Sequence, residues 1–570
     1  MILEISGKIN SLDMTLNSKP KLVMFFETDD EDRRIPFVLS KINYIDDSCF
    51  FYGKYTYKLD NIFWEKCGQI TNFDLNFILK FGNETEEKVA FSYDEEKIIV
   101  NSQQYSIQEQ NNTINFHKEI IVPKKKTSKK IIKIIKSILY IPFYICVILL
   151  FLFESILNYF NLADTPYKSK TRNPIRRAIA HLNIRLKQID RKPITIIRFK
   201  NFALHHICKF ISRNKIIPNR ITFISARSNE ISGNFKFVYE KIKDNKDLDI
   251  KFYLNSKVPS QYTIKEFIAF YKACSTSSVI VLEEFTPLIH KVYIKDKVKI
   301  VQLWHACGAF KTFGFTRLGK PKGSPQITKM HRNYDYVTVS STYCKQCHSE
   351  GFGISTNKVI PIGIPRTDIF FDDEYINKTR EDFYSKFPNF KNKKIIMFAP
   401  TFRGHIKETA NYPVNVFDIK YLLSQIDDDY AVIIKHHPFV KQIQPIPKQY
   451  SDRVIDLSIG TDINDLLFVT DVIISDYSSL IFEASLKEIP MIFYAYDLER
   501  YIKERDFYFD YALNVPGKIV YNMEEIITTI NNEDFQTERT EAFRNMFFDH
   551  FDGNSSQRVA DLITKLVLEK

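Results

Sequence analysis

A chain of 570 residues is too long for one hydrophobic core, and length alone points to roughly two to four domains. With 44% hydrophobic and 26% charged residues, the composition excludes a low-complexity or disordered chain and predicts globular structure over most of its length. The net charge of +12 matters by its location more than its size.

Residues 1–120 carry short β-rich runs at 21–26, 35–39, 48–57, 73–81, 89–93 and 97–101, separated by Asp, Asn, Gly, Ser and Lys clusters. This predicts a small antiparallel β domain with a structural or partner-binding role, since no catalytic constellation falls in it. The N-terminus, MILEISGKINSLDMTL, has no basic segment followed by an apolar one, so a cytoplasmic, reducing location is expected. The eight cysteines are irregularly spaced and form neither a disulfide framework nor paired zinc knuckles. Cys344-Lys345-Gln346-Cys347-His348 matches the c-type haem attachment pattern, but attachment would require export. The segment is read as an ordinary helix.

Lys124, Lys125, Lys126, Lys129, Lys130, Lys133 and Lys136 then come with no acid among them. They lead into an apolar run of 17 residues, 137–153, broken only by Pro142. That length is at the lower edge of a membrane-spanning helix. Residues 164–220 hold fifteen Lys/Arg against Asp164 and Asp190, so both flanks are basic. A simple span would put one basic flank outside. An in-plane or re-entrant segment bent at Pro142 keeps both flanks on the anionic cytoplasmic leaflet, and this monotopic arrangement is preferred over a span or a buried core helix. Basic amphipathic pieces at 175–189 and 196–211 extend the surface. No aromatic-interleaved reader accompanies the basic residues, so no nucleic-acid partner is expected.

From residue 218 strands and helices alternate. Strands are predicted at 220–225, 250–254, 278–283, 297–303, 336–340 and 358–362, with helices at 234–243, 264–273 and 343–351. After a gap at 372–394, further strands are predicted at 394–399, 430–435, 454–456, 472–475 and 491–494. This pattern means two doubly wound parallel sheets with a cleft between them, the GT-B architecture.

Four motifs stand at strand ends, where ligands bind in open α/β sheets. Trp304-His305 precedes the small-residue loop Ala306-Cys307-Gly308; alone, this histidine reads more readily as a satisfied core residue than as a catalytic one. Ala399-Pro400-Thr401-Phe402-Arg403 places an arginine suited to a bidentate grip on phosphate. Lys435-His436-His437-Pro438 ends another strand. Ser475-Asp476-Tyr477-Ser478-Ser479-Leu480-Ile481-Phe482-Glu483 runs from strand into helix and offers hydroxyls and N–H groups to an anion, or simply caps the helix. No Walker loop, G-x-G-x-x-G, H-E-x-x-H or G-x-S-x-G is present, and no His/Asp/Cys cluster demands a metal.

Together these motifs resemble the CDP-glycerol glycerophosphotransferases, which build teichoic acids and related poly(polyol phosphate) polymers. The resemblance runs in order through RSNEISGN (227–234), LWHACGAFKTFGFTRLGK (303–320), GIPRTD (363–368), APTFR, KHHP, TDVIISDYSSLIFE (470–483), RDFYFDY (505–511) and Pro516-Gly517. It covers roughly residues 218–560 and leaves residues 1–120 outside. Trp-His-Ala-Cys-Gly replaces the Trp-His-Gly of many members and is similar to priming and short-chain ones. Arg505-Asp506 stands for arginine-glycine, and Lys518 follows Pro516-Gly517; these departures leave the acceptor and the polyol open.

The resemblance implies an α/β GT-B fold of two Rossmann-like domains. The expected divisions are a β-rich domain (1–120), a membrane-associating segment (121–217), an acceptor-side domain (218–390) and a CDP-donor domain (391–570). It implies an enzyme on the cytoplasmic face of a bacterial membrane. That enzyme moves a polyol phosphate from CDP-glycerol or CDP-ribitol, glycerol preferred, to a hydroxyl of a lipid-linked glycan or polymer and releases CMP. His305 is the expected base and His437 the group that stabilises or protonates the departing phosphate, though the two could be exchanged. Arg403, Ser478 and Ser479 would hold the diphosphate, Lys435 would add charge, and Asp476 and Glu483 would orient hydroxyls or the ribose. Arg227, Ser232 and Lys311 fall on the acceptor side. No cofactor is required, with Mg²⁺ a possible companion of the diphosphate. A nucleotide-sugar glycosyltransferase and a non-catalytic membrane-surface assembly protein are the alternatives.

Overall fold

The structure, a computed structural model, describes strands between residues 2 and 118, and the chain from 214 to 568 apart from residues 291, 293, 318–329, 332, 405–408 and 441–444. The strands between 2 and 118 pair antiparallel, in a four-stranded and a seven-stranded sheet. The expected membrane-associating segment lies, up to residue 213, outside the described residues. Among the described residues no helix is long and apolar enough to cross a membrane.

Two six-stranded parallel sheets follow. The first comprises β1 (Arg220–Ser225), β2 (Asp249–Leu254), β3 (Val279–Leu282), β4 (Lys299–Gln302), β5 (Tyr336–Thr338) and β6 (Val359–Ile360), in the order β2-β1-β3-β4-β5-β6. The second comprises β7 (Lys394–Phe398), β8 (Tyr430–Ile434), β9 (Val454–Asp456), β10 (Val472–Ser475), β11 (Met491–Tyr494) and β12 (Lys518–Val520), in the order β9-β8-β7-β10-β11-β12. Central strands such as Val-Ile-Val-Leu in β3 and Met-Ile-Phe-Tyr in β11 are buried throughout, as parallel strands covered on both faces must be. Strand order reverses between β1 and β3 and again between β7 and β10, which opens a crevice at the carboxyl ends of each sheet.

Helices α1 (Gly233–Ile242), α2 (Ile264–Thr276), α3 (Thr342–Phe352) and α4 (Asp373–Lys386) begin with the first sheet. Thr263 and Glu266 form a reciprocal capping box that starts α2. Ser341 caps α3, and Gly353 ends it at φ 65°. This is the helix expected at 344–348: Cys344, Cys347 and His348 are buried, with His348 Nδ1 2.9 Å from the Cys344 carbonyl oxygen.

Three expectations need correction. The gap at 372–394 is mostly α4, capped by Asp372; it buries only Ile376 and Phe383, so its apolar period is too sparse to read. β12 is only three residues long, too short for its sequence to mark it as a strand. The last helix, α6 (Ser555–Leu568), belongs with the first sheet rather than the second. Its Val559, Ala560, Ile563 and Val567 share a core with Phe223, Phe235, Val238 and Val281. Asp368, between the two halves in sequence, receives the Ser555 and Ser556 amides at 2.9 and 2.8 Å, placing a carboxylate at the positive end of α6.

The two halves meet along a peptide seam. Tyr508 N donates to Phe310 O at 2.9 Å, Thr312 N to Asp506 O at 3.2 Å, and Thr312 Oγ1 to Arg505 O at 2.7 Å. Phe310 stacks on Phe507 and Phe509 at 5.0 and 5.4 Å between centroids. Beside this seam Gly308, at φ 64°, lies against the ring of Phe482 on α5 (Leu480–Leu486); a Cβ there would stand 2.3 Å from the ring. Gly308→Ala combines left-handed strain with overpacking, and should destabilise the chain by about 2 kcal/mol or more. Denaturant unfolding checks this: an unchanged midpoint would mean that the halves do not meet there.

Candidate functional site

Residues beyond the strand ends of the two sheets share electrostatic neighbours across the seam, and the turn that presents His305 is strained. Trp304, just past β4, has φ 57°, a conformation that costs a non-glycine residue roughly 1–2 kcal/mol. Its amide is held by Gln302 Oε1 at 2.9 Å and its carbonyl by Asn234 Nδ2 at 2.8 Å. The indole is buried against Phe313 and Phe352, and the His305 ring lies beside it, 4.6 Å between centroids. His305 is solvent-accessible yet recessed among protein atoms. Desolvation, then Arg227 and Arg366, pushes its imidazole down to about 4, below the ordinary range that the sequence alone predicts.

On the opposite half, β8 runs into Lys435-His436-His437, and the two histidines diverge. His436 is buried between Phe398 and Tyr412, with Nδ1 lacking a hydrogen-bond partner. His437 is half-buried at the cleft, its ring against Phe402 and Phe439. The Phe439 amide donates to His437 Nδ1 at 3.2 Å, which leaves the ring proton of the neutral form on Nε2. Burial, Arg227 and Lys311 lower its pKa. Arg227 therefore acts on both imidazoles, one from each half.

Four residues expected to contact the donor are engaged within the protein. Arg403 donates to both Asp497 oxygens at 2.7 and 2.8 Å, to Asp476 Oδ2 at 2.9 Å and to Thr401 O at 2.6 Å. Tyr412, Tyr477, Tyr496 and Tyr501 surround its guanidinium at 5.1–5.8 Å. Burial opposes this charge, but Asp476 and Asp497 outweigh it and raise the pKa. Asp476 is 1% exposed, and its Oδ1 also takes the Thr401 and Tyr477 amides, leaving little for a ribose. Lys435 is buried, its ammonium donating to the carbonyls of Leu457 and Thr461 at 2.7 and 2.6 Å. Glu483 pairs with Arg366 across the halves. The reason is the same in each case: a buried charge needs a partner, and here the protein supplies it.

The remaining expected residues stand nearer the cleft. Ser478 and Ser479 are half-buried at the start of α5; Ser478 Oγ receives the Leu480 amide at 3.3 Å, while the Ser479 hydroxyl makes no cap bond. Arg227 and Ser232 are exposed beyond β1. Lys311 lies on the seam, its Nζ 5.9 Å from the Tyr501 ring centroid. Burial, partly offset by Asp476 and reinforced by Arg505 and Arg403, pushes it down to about 8. Among the described residues no group of His, Cys, Asp and Glu could hold a metal ion.

Glu283 was not anticipated from sequence. It follows β3, half-buried, and receives the Asn234 amide at 2.6 Å; burial, then Glu284, pushes it up to about 7. The only signal was the Glu283-Glu284 pair at a strand end, which reads more readily as a solvated turn.

The family model described as CDP-Glycerol:Poly(glycerophosphate) glycerophosphotransferase matches residues 206–565. A teichoic acid poly(ribitol-phosphate) polymerase of Bacillus spizizenii is 42% identical over 371 residues, 64% of this chain and 60% of that relative. The aligned part thus spans less than two thirds of that relative's length. A teichoic acid glycerol-phosphate primase of Bacillus subtilis is 32% identical over 295 residues, 51% of this chain and 74% of its own. Among solved structures, a variant of the wall teichoic acid polymerase TagF superposes with a TM-score of 0.54 at 22% identity, covering 70% of this chain and 99% of that one. The shared feature there is the fold, two parallel doubly wound α/β sheets of GT-B type.

Arg403→Ala would leave Asp476 and Asp497 without their counter-ion and should destabilise the chain by about 3–5 kcal/mol. Chemical denaturation of the variant measures this. A stability equal to wild type would return Arg403 to the ligand-binding role expected from sequence.

Proposed function

The chain belongs to the CDP-glycerol:poly(glycerophosphate) glycerophosphotransferase family, and on that premise we propose that it transfers a polyol phosphate from a CDP-activated donor to a hydroxyl of a lipid-linked glycan or growing polymer, with release of CMP. The observation that carries this reading is the pair of cleft histidines, one from each half, lying under the influence of the same arginine. In-line phosphoryl transfer needs positioning, charge stabilisation and a base for the attacking hydroxyl.

His305, neutral at physiological pH, takes the proton from the acceptor hydroxyl. His437 presents its Nε2 proton to the departing phosphate, since Nδ1 already accepts an amide. Arg227 and Lys311 meet the donor's charge from the first half, and Ser478 and Ser479 from the second. Arg403, Asp476, Lys435 and Glu483 act indirectly, by holding the walls of the cleft. The transfer calls on no resident cofactor, and Mg²⁺ would arrive with the diphosphate. For the polyol, the 42% identity to a ribitol-phosphate polymerase against 32% to a glycerol-phosphate primase favours ribitol over the glycerol expected from sequence. The antiparallel strands of residues 2–118 form a separate domain in this reading. The basic apolar segment 121–217 holds the enzyme on the cytoplasmic membrane face as a monotopic anchor, which the lysine run supports.

The test is CMP release from the purified chain with CDP-glycerol and CDP-ribitol separately, each beside a lipid-linked acceptor mimic. Release with one donor, reduced about 10²–10⁴-fold in His305→Ala and strongly in His437→Ala, is the expected result. A His305→Ala variant retaining more than about a tenth of the rate overturns the base assignment. Consumption of nucleotide sugars with no CMP release would instead make the protein a glycosyltransferase. The acid limb of kcat/KM reports the free enzyme's base and should fall well below pH 6.5, toward about 4, because the lowered pKa keeps His305 unprotonated as pH falls. A limb at the ordinary imidazole value contradicts this.

A further inference from the structure

The peptide that carries His305 is held from outside its own strand, and the hold extends to the other half of the molecule. Asn234, in the first turn of α1 and completely buried, donates from Nδ2 to the Trp304 carbonyl at 2.8 Å. Its Oδ1 receives the Arg366 amide at 3.0 Å, and its own amide is fixed on Glu283 at 2.6 Å. Both ends of this carboxamide are therefore occupied, and its orientation is determined. Arg366 carries the connection across the cleft, since its Nη2 pairs with Glu483 on α5. Glu483 is 3% exposed and lies one helical turn beyond Ser479, in the same short segment as the Ser478–Ser479 turn. The Arg366 Nε is buried with no hydrogen-bond partner, so the pair with Glu483 is what aims this side chain.

We infer that Asn234, Arg366 and Glu483 form a positioning relay, which holds the His305 peptide in register with the Ser478–Ser479 turn of the opposite half. The inference rests on the proposed role of His305. The three residues act through the histidine and the turn rather than on the reacting atoms. The geometry favours such a role over plain cohesion. The Trp304 backbone is in a conformation that it would leave if released, and Asn234 is the one side chain hydrogen-bonded to its carbonyl among the described residues. Displacing a reacting group by about 1 Å can lower a rate by 10²-fold. Arg366 also bears on the imidazole electrostatically. The groups facing His305 are Arg227 from beyond β1, Arg366 and His348 of α3, while Glu283 and Glu483 face Arg366 in turn.

The test uses the full chain, CMP release across pH, and thermal unfolding of each variant. Arg366→Gln should lower kcat about 10–100-fold with donor KM within about threefold of wild type, a pattern of lost placement rather than lost binding. Removing a cation beside the imidazole should also move the acid limb of kcat/KM upward, and Arg366→Lys should restore the limb but not kcat. Asn234→Ala with Glu483→Gln should lose no more than the worse single variant, because each interrupts the same relay. Wild-type kcat and limb in Arg366→Gln, or fully additive losses in the double variant, overturn the relay. Should Arg366→Gln fail to fold, Arg366→Lys carries the test, and wild-type kcat there overturns it. His305→Ala separates the two readings: full activity removes the base assignment and the relay with it. Inactivity beside a fully active Arg366→Gln removes the relay alone.

Discussion

The peptide pairing of residues 310–312 with 505–508 is the constraint on which the cleft depends. Backbone hydrogen bonds of 2.9 and 3.2 Å cannot lengthen without leaving buried N–H and carbonyl groups unpaired. Because they join one half directly to the other, they set how far the end of β4 stands from the start of α5. Phe310 and its ring partners exclude water from the seam, and Gly308 allows Phe482 to approach without a side chain between them. Domains meeting through side chains alone are expected to move relative to each other. Here an isolated antiparallel bridge between Lys311 and Phe507 replaces that freedom with a defined separation.

Given that separation, the distribution of charge follows. Arg403, Lys435, Asp476 and Glu483 stand at or beyond the strand ends where a sequence reading places ligand contacts, and each finds its hydrogen-bond or ionic partners within the protein. Arg403 lies 94 residues before its bidentate partner Asp497, and Arg366 lies 117 before Glu483. Motif spacing shows which residues reach a strand end, but not which long-range partner is waiting there. On the proposed reading Arg227 and Lys311 would offer positive charge to an incoming anion, and the Lys311 pKa is pushed down to about 8. Desolvation without a bonded carboxylate produces that state, and an anion would reverse it.

The legible part of the fold was the part with strong local patterns. β-branched runs marked β1, β7, β8, β10 and β11 to within a residue or so, because strands buried on both faces are apolar throughout. α4 was lost because a surface helix with two core contacts has almost no apolar period. α6 was seen neither as a helix nor as part of the first sheet's core, since the destination of a terminal helix is decided by a distant acceptor, Asp368. At the site, His305 and His437 could be named from their strand ends, and strand alternation separates His436 from His437. Glu283, Asn234 and Arg366 could not be assigned roles this way, because what joins them is a chain of hydrogen bonds across elements.

The low pKa values of the two cleft histidines also depend on that arrangement. Desolvation and neighbouring cations favour the neutral form of both imidazoles. On the proposed reading, a diphosphate beside His437 would counter Arg227 and Lys311 and raise that histidine's pKa. His305, a strand end away on the other half, would face the acceptor and feel less of the change. On that reading the two side chains would divide the proton transfers, His437 offering the proton on Nε2 while its Nδ1 accepts the Phe439 amide, and His305 taking the acceptor's proton. Titratable groups driven apart by their surroundings are how one site performs both proton transfers. Here the substrate's own charge would supply the difference, and the seam would decide which histidine receives it.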